Sequence, residues 1–315
     1  MGHRTLRKSE DMKKAQRRAT FFYWGMFALP LLQFIIFYLI VNMNSLLLAF
    51  KSYSFNKETL LYDQVFVGFD NFKTFFNDFF AQGGKLEPIF KNSLTLYLIN
   101  LFVGTVLALL FSYYIFKKRF ASQFFRVMLF MPSIISSVVL VTLYSYFVDR
   151  AVPDIVLNMF GTQMKLPLDA YPWQTVLIFN VFISFGTSVL LYSGAMSRIP
   201  DGVIEAGQID GVNALQEFCI LVIPMIAPTV SVFLITGVAQ LFTNEANLYA
   251  FYGYFANSKI QTLGYYLLVQ VKGENSTLAN YPYAAAAGLS LALVAAPITL
   301  LVKYILDKVV PTVEY

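Results

Sequence analysis

The chain has 315 residues, of which 57% are hydrophobic and only 13% are charged. A soluble globular domain carries about 25% charged residues, so this composition excludes a disordered chain, a coiled coil and an ordinary soluble enzyme. It indicates a protein whose surroundings are largely lipid. The lone cysteine and lone histidine, Cys219 and His3, exclude an internal disulfide, a Cys- or His-ligated metal site and a serine–histidine triad.

Six stretches contain no Asp, Glu, Lys or Arg, and each is long enough to cross a bilayer as a helix, which takes about 20 apolar residues. Because lipid cannot satisfy backbone polar groups, such segments are expected to be helices. The predicted helices lie at 20–45, 93–116, 127–148, 174–194, 218–242 and 283–306. The first is too long for the apolar core of a cleavable signal, so we expect it to be retained.

The distribution of Lys and Arg predicts the orientation of these helices, because cytoplasmic loops are enriched in both. One side carries most of the Lys and Arg residues. They are seven within residues 1–19, four between the second and third helices, and Arg198, Lys303 and Lys308. We therefore expect a transmembrane domain over 20–310, with basic residues 1–19 and residues 311–315 as cytoplasmic tails. Nucleic-acid binding is the rival interpretation of the basic tail, and we predict no nucleic-acid partner.

Three connections on the other side differ in composition. Residues 51–92 are predicted to form an external loop that contains an amphipathic helix, either on the membrane surface or docking a partner, because five phenylalanines recur at helical spacing. They are Phe72, Phe75, Phe76, Phe79 and Phe80. The prolines of 149–173 predict an irregular external loop. Residues 244–282, rich in Tyr, Asn and Gly, predict an external hairpin or loop.

The cytoplasmic connection 195–217 is acidic, which the orientation rule does not explain. Its acidic residues are Asp201, Glu205, Asp210 and Glu217. Pro200 and Asp201 suit a helix start, and Gly211 suits a helix end. This pattern predicts a short helix of two to three turns, within residues 200–213, across the cytoplasmic face.

The same connection then predicts how the chain enters the fifth span. Asn213 and Gln216 form a plausible capping pair. Pro224 and Pro228 indicate a kinked helix entry.

This segment resembles the E-A-A…G…I-x-L-P signature of ABC importer permeases, in the carbohydrate branch of that family. The matching residues are Glu205-Ala206-Gly207, Gly211, Leu221, Ile223 and Pro224. Gly207, Leu221 and Ile223 replace the alanine, isoleucine and leucine of the signature. Further landmarks at 68–72, 91–94, 125–126 and 130–132 extend the resemblance over residues 68–310.

The resemblance implies an all-α integral membrane protein with six transmembrane helices, a short cytoplasmic coupling helix between the fourth and fifth, and both termini in the cytoplasm. It implies the permease subunit of an ATP-driven, solute-binding-protein-dependent importer that moves a sugar or oligosaccharide across the bacterial plasma membrane by alternating access. The residues expected to couple it to an ATPase are Ile204, Glu205, Ala206, Gly207, Ile209, Asp210, Gly211 and Pro224. Val203, Ile204 and Ile209 would fill a pocket of that ATPase.

The implied partners are a second permease, identical or paralogous, two ATPase subunits and an external solute-binding protein. The chain has no phosphate-binding sequence of the form G-x-x-x-x-G-K-[ST]. We therefore expect ATP and Mg²⁺ to be bound by the ATPase partner. This chain is expected to have no cofactor or metal of its own and not to be an enzyme.

Two stripes of polar residues at helical spacing, one on the fourth span and one on the fifth, predict the substrate path, since intramembrane polar groups face the bundle interior or a water-filled cavity. The candidates are Asn180, Ser184, Thr187, Thr236, Gln240, Thr243 and Asn244, with Tyr144 as a ring that could stack on a sugar. Neutral amides and hydroxyls suit an uncharged, hydroxyl-rich ligand. For each residue the alternative is hydrogen bonding between helices. An importer for another polar solute, a six-helix secondary transporter or channel, and a membrane-embedded enzyme remain alternatives.

Overall fold

The computed structural model describes residues 2–56, 61–81, 84–274 and 276–310, with side chains from residue 16 onward except those of residues 56 and 61. Sixteen α-helical segments lie at Gly2–Gln33, Val41–Leu48, Asp70–Phe80, Leu86–Ile99, Thr105–Phe116, Ser122–Phe130, Ser137–Tyr146, Val152–Phe160, Pro167–Ala170, Pro172–Met196, Asp201–Ile209, Ala214–Gln216, Ile223–Ala239, Leu248–Tyr252, Leu263–Lys272 and Asn280–Val309 in these ranges. Turns of π-helix lie at Phe34–Ile40, Asn100–Gly104, Phe147–Ala151 and Glu217–Val222, and 3-10 turns at Met131–Ile134 and Ser258–Ile260. The strands are Lys51–Asn56 and Leu61–Phe66.

Within the described residues, five continuous helices are long and apolar enough to cross a membrane. We call them the first, second, fourth, fifth and sixth spans: Gln16–Leu48, Leu86–Phe116, Pro172–Met196, Ala214–Ala239 and Asn280–Val309. They confirm five of the six predicted helices with shifted ends. The N-terminal residues from Gly2 run in the same helix as the first span. The predicted tail 311–315 lies outside the described residues.

The third predicted helix, 127–148, is wrong as a single straight span. Helices Ser122–Ile134 and Ser137–Phe160 meet at 109°, and the two together are long and apolar enough for one span with a break in it, which we call the bent span. The break follows Pro132, which has no N–H to donate, and Ile135 and Ser136 have extended ψ angles of 143° and 136°. The irregular loop predicted from residue 149 is also wrong at its start, because the helix continues to Phe160 and ends at Gly161, whose φ is +67°.

The side of the bundle that is predicted to be external, which we call the outer side, carries a structure that the sequence pattern did not predict. An antiparallel hairpin pairs Lys51 with Phe66 and Asn56 with Leu61. The predicted amphipathic helix is confirmed at Asp70–Phe80, and we call it the outer helix. Of its five phenylalanines only Phe75 is buried, and it packs in a cluster with Leu263 and Leu291. The outer helix therefore rests on the bundle through one edge of its apolar face.

The fourth span is the centre of the fold. Half of its most apolar window is buried, against none for the first span. The fourth span packs along the second span, and its cytoplasmic half enters a cluster that contains Tyr192, Met196 and Phe218. The outer half of the fourth span joins a second cluster around Leu248 and Tyr265. The polar residues of this span are thus distributed between packed and open surroundings.

Candidate docking helix and polar cavity

A short helix lies at Asp201–Ile209, within the residues 200–213 for which the sequence predicted a cytoplasmic helix, and we call it the docking helix. It ends through Gly211, whose φ of +78° is a left-handed conformation that side chains with a Cβ rarely adopt. The Val212 amide donates to the Gly207 carbonyl at 3.0 Å. The predicted capping pair is confirmed: Asn213 Oδ1 accepts from the Gln216 amide at 2.9 Å, and Gln216 Oε1 accepts from the Asn213 amide at 3.0 Å.

One face of the docking helix is packed against its own chain. Ile204 is only 8% exposed and belongs to the cluster around Phe218 and Val222. The expectation that Ile204 fills a partner's pocket therefore differs from this structure, in which it seats the helix on the bundle. Gly207 is also buried, and a Cβ there would lie 2.6 Å from Leu221 Cδ1. Two of the three signature departures, Gly207 and Leu221, thus lie in contact.

The opposite face of the docking helix is open. Asp201, Glu205, Ala206 and Asp210 are exposed, and Ile209 is 85% exposed. None of the three acidic residues forms an ion pair with a described side chain. Pro224, in the first turn of the helix that begins at Ile223, is exposed as well. This face presents negative charge around one apolar side chain, which suits a basic partner surface.

A cavity of about 220 Å³ lies between the second, fourth and fifth spans, and we call it the central cavity. Four predicted path residues line it: Ser184, Thr236, Gln240 and Asn244. The second span adds polar residues that the sequence analysis did not select, namely Ser93, Tyr97, Asn100 and Thr105. Ser93, Tyr97 and Asn100 recur at four- and three-residue spacing. The same spacing marks the stripes of the fourth and fifth spans.

The other four predicted path residues do not line the central cavity. Asn180 is buried, and its amide donates to the carbonyls of Val176 at 2.9 Å and Ala246 at 2.8 Å. Tyr144 donates to the Thr175 carbonyl at 3.0 Å. For Asn180 and Tyr144, the structure therefore favours hydrogen bonding that holds the fold together.

The last two of these residues, Thr187 and Thr243, also lie away from the central cavity. Thr243 lies on an apolar groove between the fifth and sixth spans, and Thr187 is exposed.

The chemistry of the central cavity is that of a neutral polar site. Its lining side chains include three serines, two threonines, two asparagines and Gln240, and none of them is charged. Ser184 donates to Asn100 Oδ1 at 2.9 Å, which fixes that amide between the two spans. Aromatic rings of Tyr97, Tyr192 and Phe233 complete the wall. Hydroxyl and amide groups next to rings can bind an uncharged, hydroxyl-rich molecule by hydrogen bonds and ring contact.

The outer mouth of the bundle is held by side chains that bond to the backbone of residues 244–282, which we call the outer segment. Asn92 donates to the carbonyls of Lys259 and Gln261, each at 2.9 Å. Ser93 accepts from the Leu263 amide at 2.9 Å. Burial raises the pKa of Tyr265, whose hydroxyl donates to the Gly253 carbonyl at 2.9 Å. The landmark at 91–94 thus fixes the outer segment above the bundle.

A multi-span helical bundle with a polar cavity and a short helix that presents an open acidic face suits a membrane transport subunit. The sequence profile of the family described as "Binding-protein-dependent transport system inner membrane component" matches residues 100–315. The chain belongs to this family, and it is accordingly a multi-pass protein of the inner membrane. Among the described residues, no group of three or more His, Cys, Asp or Glu side chains could hold a metal ion.

Curated relatives cover much of the chain. The probable ABC transporter permease protein YurN of Bacillus subtilis is 27% identical over 63% of this chain and 68% of its own length. The probable starch degradation products transport system permease protein AmyD of Thermoanaerobacterium thermosulfurigenes is 28% identical over 74% and 80%. The multiple sugar-binding transport system permease protein MsmF of Streptococcus mutans is 25% identical over 86% and 91%.

A solved structure shares the fold. It is a chain of a bacterial ABC transporter involved in the import of the acidic polysaccharide alginate, and it superposes with a TM-score of 0.75 at 21% identity. The match covers 95% of this chain and 99% of that one. The same transporter was also solved in complex with its alginate pentasaccharide-bound periplasmic protein, and that chain matches with a TM-score of 0.74.

Proposed function

We propose that this chain is the permease subunit of an ATP-driven importer that receives a sugar or oligosaccharide from an external solute-binding protein and passes it across the membrane by alternating access. The observation that carries this proposal is the uncharged polar cavity in a member of a binding-protein-dependent transport family. Relatives named for starch degradation products and for multiple sugars support a carbohydrate. The absence of charge from the cavity lining favours a neutral sugar over an acidic one.

The docking helix supplies the link to ATP hydrolysis. Glu205 pairs with a basic residue of an ATPase subunit and Ile209 inserts as the apolar anchor, while Ile204 and Gly207 seat the helix on this chain. ATP and Mg²⁺ are bound by that ATPase. A second permease, identical or paralogous, completes the pore, and the basic tail and residues 311–315 lie in the cytoplasm with the docking helix.

Purification of the tagged chain from its native membrane in mild detergent tests this assembly. We expect an ATPase and a second permease to co-purify with the unmodified chain. Glu205→Lys reverses the charge at the docking face and should reduce the recovered ATPase at least tenfold. Glu274→Lys is the matched control, because Glu274 is also exposed but lies in the outer segment.

Two results would count against the proposal. If the unmodified chain is recovered alone, a secondary transporter or channel becomes the better account of the fold. If Glu205→Lys retains the full amount of ATPase, the docking role of residues 201–210 is wrong while the transport function stands.

The substrate path is tested by two substitutions in the turn that directly follows the fifth span, which ends at Ala239. Gln240→Leu removes an amide from the central cavity, and Thr243→Val alters a residue of the same predicted stripe that lies outside the cavity. One lost hydrogen bond is worth about 1 kcal/mol, so Gln240→Leu should lower sugar uptake roughly fivefold. The measurement is uptake of radiolabelled maltotriose, or of whichever neutral oligosaccharide binds the solute-binding protein best, into proteoliposomes.

The control variant, Thr243→Val, shows whether uptake depends on lining the cavity or only on belonging to the stripe. Thr243→Val is expected to transport normally. Equal losses in both variants would show that the cavity does not distinguish the two positions, and unchanged uptake in Gln240→Leu would remove this residue from the path.

A further inference from the structure

Glu217 is the one charged side chain among the described residues that is buried, at 4% exposure. Lys117 Nζ lies 2.9 Å from its Oε1 and 3.1 Å from its Oε2. The Tyr113 hydroxyl lies 3.0 Å from the same Oε1 and 3.1 Å from the Ala214 carbonyl oxygen. The fourth acidic residue of the cytoplasmic connection therefore points into the bundle, away from the surface that carries the other three.

A buried ion pair is a poor device for stability alone. Removing two charges from water is costly, and well-packed apolar side chains in their place are often equally stable or more stable. What such a pair provides is a defined geometry, because neither charge has a second ionic partner among the described side chains, in a medium where unpaired charge is expensive. The neighbouring contact between the rings of Tyr113 and Phe218, 5.0 Å apart, has no comparable directional preference.

The pair joins two elements that carry different parts of the proposed function. Glu217 is the first residue after the helix turn capped by Asn213 and Gln216, which leads directly from the docking helix. Lys117 is the residue at which the second span ends. Nearer the outer end of the second span, Tyr97 and Asn100 line the central cavity.

The backbone forms a π-helical turn at each of these two places. One π-helical turn begins at Glu217, and another begins at Asn100, where the second span faces the cavity. Such turns occur frequently at functional sites. A contact at Lys117 and Glu217 thus connects the chain that follows the docking helix to the helix that forms one wall of the cavity.

We propose that the Lys117–Glu217 ion pair is a positioning contact that transmits displacement of the docking helix to the second span and hence to the central cavity. This inference rests on the proposed function, because it requires an ATPase that moves the docking helix. Apolar packing alone lets the fifth span slide along the second. The ion pair fixes their register at the cytoplasmic end.

The test compares three variants in the assembled complex in nanodiscs: Glu217→Gln, Lys117→Met and the double variant. Each single variant leaves one partner without its opposite charge, so it should melt at a lower temperature. The double variant has no unpaired charge and should regain the melting temperature and the bound ATPase. Glu87→Gln is the matched control, because it removes an exposed pair with Lys91, 2.6 Å apart, at the other end of the same span.

The decisive readout is the distance between spin labels at Val106→Cys and Ile178→Cys, both on exposed surfaces of the second and fourth spans, in a Cys219→Ser background. It is measured by electron paramagnetic resonance with and without ATP and vanadate. We expect the ATP-dependent change in distance to fall below half of its original size in both single variants and to stay there in the double variant. The Glu87→Gln control should keep the full change.

Each other outcome is decisive as well. A full change in Glu217→Gln, or recovery of the change together with stability in the double variant, overturns the coupling role and leaves the pair structural. If the unmodified chain carries no ATPase, or shows no ATP-dependent change with one bound, the proposed function itself fails, and it does so before any variant is compared.

Discussion

At the outer end of the molecule, amide side chains bond to backbone carbonyls of distant segments. The cytoplasmic ends of the spans meet mainly through apolar packing, with one ion pair and the hydroxyl bonds of Ser112 to the Val189 carbonyl and of Tyr113 to the Ala214 carbonyl. Asn71 donates to the Ala49 and Lys51 carbonyls at 2.9 and 2.7 Å, and Asn92 bonds the outer segment. In the cytoplasmic half, the docking helix and the ends of the second, fourth and fifth spans share the cluster around Tyr192 and Phe218, with Lys117–Glu217 beside it.

The two kinds of contact differ in how firmly they hold the backbone. A hydrogen bond from an amide to a carbonyl is directional and fixes the backbone that it holds, while apolar contact is non-directional and tolerates sliding. The outer end is therefore a fixed frame over the cavity. The cytoplasmic end can be displaced. Its one buried ion pair, Lys117–Glu217, lies where the chain leaves the docking helix.

Gly264→Ala should break the outer frame and is expected to have the largest effect on stability. A Cβ at Gly264 would collide with the Thr243 carbonyl group and lie 2.8 Å from the Asn244 carbonyl carbon, so the backbone itself must move. Overpacking of this kind costs about 3 kcal/mol. Thermal unfolding of the purified protein in detergent measures it, with Gly194→Ala, which meets no atom within 4 Å, as the control. Equal melting temperatures would contradict a rigid outer frame.

Asn92→Ala tests the amide bonds directly and is expected to cost about 2 kcal/mol, since two hydrogen bonds are lost at about 1 kcal/mol each. Hydrogen exchange should show faster exchange at the amides of residues 259–263, which Asn92 and Ser93 hold. Thr95→Val serves as the control on the same helix, because Thr95 bonds only the Lys91 carbonyl of its own helix. Unchanged protection of 259–263 would show that these bonds do not hold the outer segment.

Gly207→Ala sharpens the comparison at the cytoplasmic end, where we expect the smallest effect, below about 1 kcal/mol. The new Cβ meets the tip of Leu221, a flexible side chain that can move, and alanine favours the helix by up to about 1 kcal/mol relative to glycine. Gly202→Ala, on the open face of the same helix, should gain that propensity without a contact. A loss in Gly207→Ala as large as that in Gly264→Ala would mean that both ends are equally rigid.

Several features could be predicted from the sequence because their causes are local. The spans at five positions follow from charge-free length, and the outer helix follows from the spacing of its phenylalanines. The docking helix lies within its predicted range, and the capping box forms as predicted, because a proline, a glycine and a capping pair act within a few residues of themselves. The bent span was missed because Pro132 marks a break without specifying the extended residues that follow it.

The roles of individual polar residues were decided by neighbours from elsewhere in the chain. Asn180 and Ser184 share one helix face, yet Ala246 of the outer segment accepts a bond from the first while the second opens to the cavity. Helical periodicity gives a direction from the helix axis, and it does not say which distant backbone lies there.

The sequence by itself determined the membrane-spanning class, the positions of five spans, the docking helix and the family resemblance, since charge-free length, capping residues and a motif of fixed spacing act along the chain. Only the tertiary structure decided that Ile204 is packed while Ile209 is exposed, and that Glu217 pairs with Lys117 inside the bundle. Burial depends on which remote element covers a side chain. That element is brought there by the packing of all the spans together, and no local pattern records it.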